Sequence, residues 1–229
     1  MSYNCILSVG IRCFTEIFLK EIGYKKFSGP FDGMYCQTIE PIIDFLSNGI
    51  NENDLIYSEE EINMNILNIK HGNRTIHKKY NFNKENPEES YHNALFPHHN
   101  LKKEDIKQHF HRCFERLKII EKKQIRTLFC LFFHPRYGND KEISIDDIKK
   151  IEKYLTNKYN CKLLVCNFCY LNDEYEWKII SNNDSLINIH VNNNSHIFTM
   201  QKKNLNEIFA HIGIDNDKLI SYENINKFI

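Results

Sequence analysis

The chain has 229 residues, 41% of them hydrophobic and 26% charged, with only 8 Gly and 5 Pro, which excludes collagen-like, proline-rich and charge-driven disordered chains and predicts one folded domain. Lys plus Arg and Asp plus Glu both number 30, so no net charge draws the protein to nucleic acid or to an anionic membrane, and neither partner is expected. No apolar run approaches the roughly 18 residues of a membrane span, and the start MSYNCILSVG carries no basic residue ahead of its apolar stretch, which predicts a soluble, non-secreted chain.

The first apolar run, Cys5 to Val9, ends at Gly10 and is followed by Phe14, Ile17, Phe18 and Ile22 at helical spacing until Gly23, which predicts strand, tight loop, helix. Ile39, Ile42, Ile43 and Leu46 predict a second helix, with Thr38 as its cap and Pro41 in the tolerated first turn. Periodicity weakens from Asn51 to about Asn100, where loops and short strands are expected as an irregular insertion in a single domain spanning 1–229. A long helix is predicted near Lys103 to Glu121 from the stripe Ile106, Phe110, Cys113, Phe114, Leu117 and Ile120, with Arg112, Glu115 and Arg116 on other faces.

Thr127 to Phe133 is a continuous apolar run of buried-strand length, feeding the turn-rich segment His134 to Asn139. Ser144, with Asp147 three residues on, opens a helix to about Asn157. Lys162 to Tyr170, Trp177 to Ile180 and Leu186 to Val191 read as strands, and Leu205, Ile208, Phe209 and Ile212 before Gly213 as a last helix. This order predicts an α/β fold with a mixed, largely parallel sheet flanked by helices. Ligands of such sheets bind beyond the carboxyl ends of the strands, so Gly10 to Cys13, His134 to Asn139 and Asn167 to Cys169 are expected to wall one cleft.

The eight cysteines are scattered through a chain too long to need a disulfide framework, mostly inside apolar segments, so reduced thiols and a reducing compartment are expected, cytoplasmic or host-cell intracellular. Cys13 stands apart because it follows a strand and a Gly-containing loop and begins an amphipathic helix, where unpaired N–H groups and the helix dipole favour a thiolate; Arg12 beside it adds positive charge. The plainer reading of the same residue is a small side chain at a crowded turn. Its base is open among eleven histidines: His98 and His99 lie in a predicted loop, and His134 ends a buried strand. Asp32, in the turn Pro30-Phe31-Asp32-Gly33, reads either as a turn former or as a carboxylate that orients an imidazole.

Cys166-x-x-Cys169 has zinc-ligand spacing, but three residues along a strand send the side chains to opposite faces and no second pair completes a site; His109 and His111 likewise diverge on a helix. No metal is expected. Ser8 to Cys13 lacks the glycines and Lys of a phosphate loop, so no cofactor is expected either. The basic pairs Lys25-Lys26, Lys78-Lys79 and Lys122-Lys123 read as solvated faces.

Leu7-Ser8-Val9-Gly10-Ile11-Arg12-Cys13, Gly29-Pro30-Phe31-Asp32-Gly33, Phe96-Pro97-His98-His99-Asn100 and Arg112-Cys113-Phe114-Glu115-Arg116-Leu117 before an apolar strand follow one another in the order of a known pattern. Together they resemble the putative papain-like cysteine peptidase family, over about the first two-thirds of the chain. The resemblance implies Cys13 as nucleophile, His99 as the histidine of the pair and Asp32 as the acidic residue, with a papain-like α+β fold as the alternative architecture. Gly33 stands where the pattern has Trp, Asn100 where Asp is common, and Cys113 interrupts an Arg pair; Asn100 could still orient an imidazole.

The expectation is therefore a cysteine-dependent hydrolase acting on an amide or ester of a peptide or small molecule. Gly10, Arg12, His98, Asn100, Arg112, His134 and Arg136 are candidates for substrate contact. The competing expectation is a noncatalytic module in which the Gly10 to Cys13 loop and Arg112 or Arg136 hold a phosphate- or sugar-containing ligand.

Overall fold

The computed structural model of the protein describes residues 3–10, 13–36, 38–57, 62–64, 69–71, 74–80, 95–97, 99–133, 143–169, 176–192 and 198–228. In chain order the elements are β1 (Cys5–Ser8), α1 (Phe14–Glu21), α2 (Glu40–Asn48), β2 (Leu55–Tyr57), β3 (Ile62–Met64), β4 (Ile69–His71), β5 (Thr75–His77), α3 (Glu104–Lys122), β6 (Thr127–Phe133), α4 (Ile145–Lys158), β7 (Cys161–Cys169), β8 (Trp177–Asn182), β9 (Leu186–Asn192), α5 (Phe198–His211) and α6 (Tyr222–Asn226).

Local chemistry sets most of these bounds. Gly23 at φ 82° ends α1, and the chain folds back so that Tyr24 and Lys25 N–H both donate to the Leu19 carbonyl at 3.0 Å. Ser144 Oγ accepts from Asp147 N at 3.0 Å and caps α4 as its spacing predicts. Thr38 does not cap α2; Ile39 holds that position without a side-chain bond, and Thr38 instead hydrogen-bonds the Glu40 carboxylate. The short α6 is invisible to periodicity because five residues make barely more than one turn; Ser221 caps it and Ile225 buries it.

The principal sheet has the order β1-β6-β7-β9-β8, with β1, β6, β7 and β9 parallel and β8 antiparallel to β9. The α/β expectation holds, and the α+β alternative attached to the papain-like resemblance is not the architecture formed. Strand alternation divides the core in two. Leu7 of β1, Phe129 and Leu131 of β6 and Leu163 and Val165 of β7 face α2, α3 and α4, meeting Phe45, Phe110, Leu117, Ile151 and Leu155. Leu128, Cys130 and Phe132 of β6 and Leu164, Cys166 and Phe168 of β7 face α1 and α5, meeting Phe18, Leu19, Leu205 and Phe209. Burial on both faces is why β6 reads as an unbroken apolar run, and each such side chain contributes roughly 1.5–3 kcal/mol.

The segment from 51 to 100 carries the short strands that its weak periodicity suggests: β2 pairs β5 and β3 pairs β4, both antiparallel. A bridge between Thr75 and Phe96 then ties β5 to the stretch leading to His99.

Candidate active site

Cys13 holds the N-cap position of α1 with helical backbone angles (φ −54°, ψ −18°), its carbonyl accepting from Ile17 N at 3.0 Å and its side chain half-buried. The helix start is fixed to the carboxyl edge of the sheet. β1 makes its last link to β6 where Val9 N donates to the Cys130 carbonyl at 2.8 Å, and two residues further along β6 the Phe132 backbone turns to a side chain. Phe132 N donates to Thr15 Oγ1 at 3.1 Å, and the same hydroxyl donates to the Phe132 carbonyl at 3.5 Å. Phe14 meets Phe168 of β7 edge-on, with ring centroids 5.4 Å apart. Gly10 is buried just beyond the end of β1, and Gly10, Cys13 and Asn167–Cys169 lie toward the carboxyl edge of the sheet; His134 to Asn139, the third wall expected of a cleft there, lies outside the described residues.

Five of the other thiols are buried, and Cys161 and Cys169 are half-buried. Burial pushes the Cys113 thiol up to about 11 and the Cys5 and Cys161 thiols up to about 12, and raises Cys36, Cys130 and Cys166 further. All eight cysteines are free thiols.

Asp32 is 6% exposed, and its Oδ2 accepts from Gly29 N at 2.8 Å, closing the turn. The same oxygen lies 2.9 Å from Lys25 Nζ, which also bonds Glu16 Oε1 in the first turn of α1. Burial raises the Asp32 carboxyl to about 6; the Lys25 ammonium opposes the rise and Glu16 adds to it. Burial alone would lower the Lys25 ammonium, but Asp32 and Glu16 outweigh it and hold it above its ordinary range. Lys25 is thus a correction to the reading of Lys25-Lys26 as a solvated face: its side chain is 11% exposed. The fold-back at Gly23 buries it, and nothing in the sequence near Lys25 announces this.

His99 rests against the neighbouring residue of the same turn. Gly33 has φ 73°, and a Cβ at that position would lie 2.8 Å from His99 Nε2. The imidazole also meets Phe110 of α3 edge-on at 5.7 Å. Its backbone is held by Thr75, whose hydroxyl donates to the His99 carbonyl at 2.8 Å and accepts from Leu101 N at 3.0 Å. Asn100 turns its Oδ1 to Lys102 N at 2.9 Å, so the oxygen that would orient an imidazole serves a local turn.

On α3, Arg112 is exposed, whereas Arg116 is 3% exposed and faces the core side rather than solvent, correcting the expectation for that residue. Its guanidinium donates to Asn226 Oδ1 at 3.0 Å and to the Ser28 carbonyl at 3.2 Å, and stacks 4.9 Å from the Tyr222 ring. Arg116 thereby joins α6 to the turn that carries Asp32. Cys113 Sγ lies 3.7 Å from both His109 Nε2 and Arg116 Nη1. Burial lowers His109, and Arg112, Arg116, His99 and Lys25 add to the lowering, so these groups form one electrostatic neighbourhood.

Arg12, His98, His134 and Arg136 lie outside the described residues. Among the described residues no group of three or more His, Cys, Asp or Glu could hold a metal ion, and no helix is long and apolar enough to cross a membrane. A cleft of about 530 Å³ runs along α3 beside the C-terminal end of α2, floored by Phe45, Phe110, Phe114 and Leu117; Cys13, Asp32 and His99 are not among its lining residues.

The chain is a three-layer α/β protein with a thiol at the start of its first helix and a histidine-bearing loop packed against the Gly-Pro-Phe-Asp-Gly turn. The chain belongs to the family described as putative papain-like cysteine peptidase, whose model matches residues 4–166, from the first strand through most of β7. Comparison with curated proteins and with solved structures gives no match.

Proposed function

We propose that the protein is a cysteine-dependent hydrolase that cleaves an amide or ester of a peptide or small molecule, with Cys13 as nucleophile and His99 as the proton carrier. The Cys13 thiolate adds to the carbonyl carbon, and backbone N–H groups of the Gly10 to Cys13 segment stabilise the resulting oxyanion. Collapse expels the amine or alcohol with a proton from the imidazolium; water, deprotonated by the imidazole, then hydrolyses the thioester and frees the thiol. Gly33, next to Asp32 in the turn, lies against the imidazole.

The observation that supports this reading is the position of Cys13: half-buried at a helix N-terminus on the carboxyl edge of a parallel sheet. The test is iodoacetamide labelling of all eight cysteines at several pH values, read by mass spectrometry, in the wild type and in His99→Ala. Fast labelling of Cys13 that persists below neutral pH and weakens in the variant is expected. Uniform slow labelling would overturn the proposal.

A further inference from the structure

The start of α1 carries a second feature besides Cys13. Glu16 lies three residues on from Cys13, in the first turn, and residues at that spacing are neighbours on a helix surface. A thiolate at Cys13 would form beside an existing carboxylate, and a like charge at that range disfavours ionisation. Asp32 is tied to Glu16 through the Lys25 ammonium that both carboxylates contact.

Among the described residues Lys25 is the cation that both carboxylates share, 2.9 Å from Asp32 Oδ2 and hydrogen-bonded to Glu16 Oε1. Its side chain is 11% exposed, so water does little of the screening there. The groups facing this ammonium are Glu16 from α1, Asp32 from the 29–33 turn, and His109 and Cys113 from α3, with Arg112 and Arg116 beyond them.

We propose that Lys25 is the counter-cation of the Cys13 site, a positioning residue that neutralises Glu16 and Asp32 so that the negative charge at the head of α1 can reside on the Cys13 sulfur. The inference rests on Cys13 as nucleophile. It assigns a functional part to a lysine that touches no substrate and acts through the field at the helix terminus. The ion pair also joins the helix bearing Cys13 to the turn on which His99 rests, so the electrostatic and geometric roles share one side chain.

The two roles separate by the sign of their effects. Lys25→Met leaves Glu16 uncompensated and is expected to move the midpoint of Cys13 alkylation upward by about one pH unit. Glu16→Gln removes the carboxylate beside the thiol while keeping the cation, and is expected to move the midpoint downward. Lys25→Arg, and the charge-balanced Lys25→Met with Glu16→Gln, are expected to stay near the wild-type midpoint. Loosened packing alone would not produce opposite shifts or rescue by a second charge removal, and Glu16→Gln with Lys25→Arg keep the test decisive if Lys25→Met does not fold. An activated wild-type Cys13 whose midpoint is unchanged in Glu16→Gln and in Lys25→Met would overturn the role of Lys25 and leave the nucleophile standing. A wild-type Cys13 no faster than Cys169 would overturn the nucleophile and this inference with it.

Discussion

Gly33 and His99 pack so closely that a side chain at position 33 would displace the imidazole: the glycine backbone stands at φ 73°, and the place its Cβ would occupy is 2.8 Å from the imidazole Nε2. The Trp of the resembling pattern has no room here without moving the imidazole. Gly33→Ala is expected to destabilise the protein by about 2 kcal/mol, from the left-handed backbone and the overlap together. Denaturant unfolding measures that loss, and the variant should also blunt the His99-dependent part of Cys13 alkylation.

Thr15 replaces a strand. It satisfies both the N–H and the carbonyl of Phe132, just beyond the point where β1 ceases to pair with β6. Thr15→Val keeps the shape and removes both bonds, leaving two buried backbone groups unpaired, a cost of about 2 kcal/mol. Because Thr15 is two residues from Cys13, the variant should also slow Cys13 alkylation at fixed pH, which a stability measurement alone would not register.

Arg116 is a buried charge bound to a carbonyl, an amide oxygen and an aromatic face. Arg116→Met is expected to cost about 3 kcal/mol and to release α6, making the 219–228 segment susceptible to limited proteolysis. Lys at this position should not restore stability, because a single ammonium cannot replace the planar fork.

Asp32 gives a signed pH dependence. Its folded carboxyl is raised from 3.8 to about 6, so the folded state binds a proton more tightly than the unfolded state does. The contribution of this group is fully present below its unfolded value and is lost as pH rises through about 6. Wild type should therefore lose stability relative to Asp32→Asn across that window and run parallel to it at higher pH. A constant difference between the two unfolding curves at all pH values would show that the Asp32 carboxyl titrates alike in the folded and unfolded states, and would overturn this prediction.

Hydrophobic periodicity was enough to locate β6, β7, α3 and α4, because burial on two faces requires an unbroken apolar run and burial on one face a helical stripe. The Ser144 cap was legible for the same reason: its bond to Asp147 N spans three residues and depends on nothing distant. Cys13 was legible as a thiol between a strand and a helix. What the sequence could not carry was the company each site residue keeps. Lys25 reads as half of a solvated basic pair until the turn at Gly23 lays it between Glu16 and Asp32. Arg116 reads as a surface charge until α6, more than a hundred residues on, brings Asn226 and Tyr222 to it. Thr15 with Phe132, and Gly33 with His99, are likewise pairs joined across long stretches of chain. Local propensity is written in neighbouring residues, whereas the pairing of a buried charge or an exposed strand end is settled when packing excludes water and leaves each polar group only the partners the fold supplies.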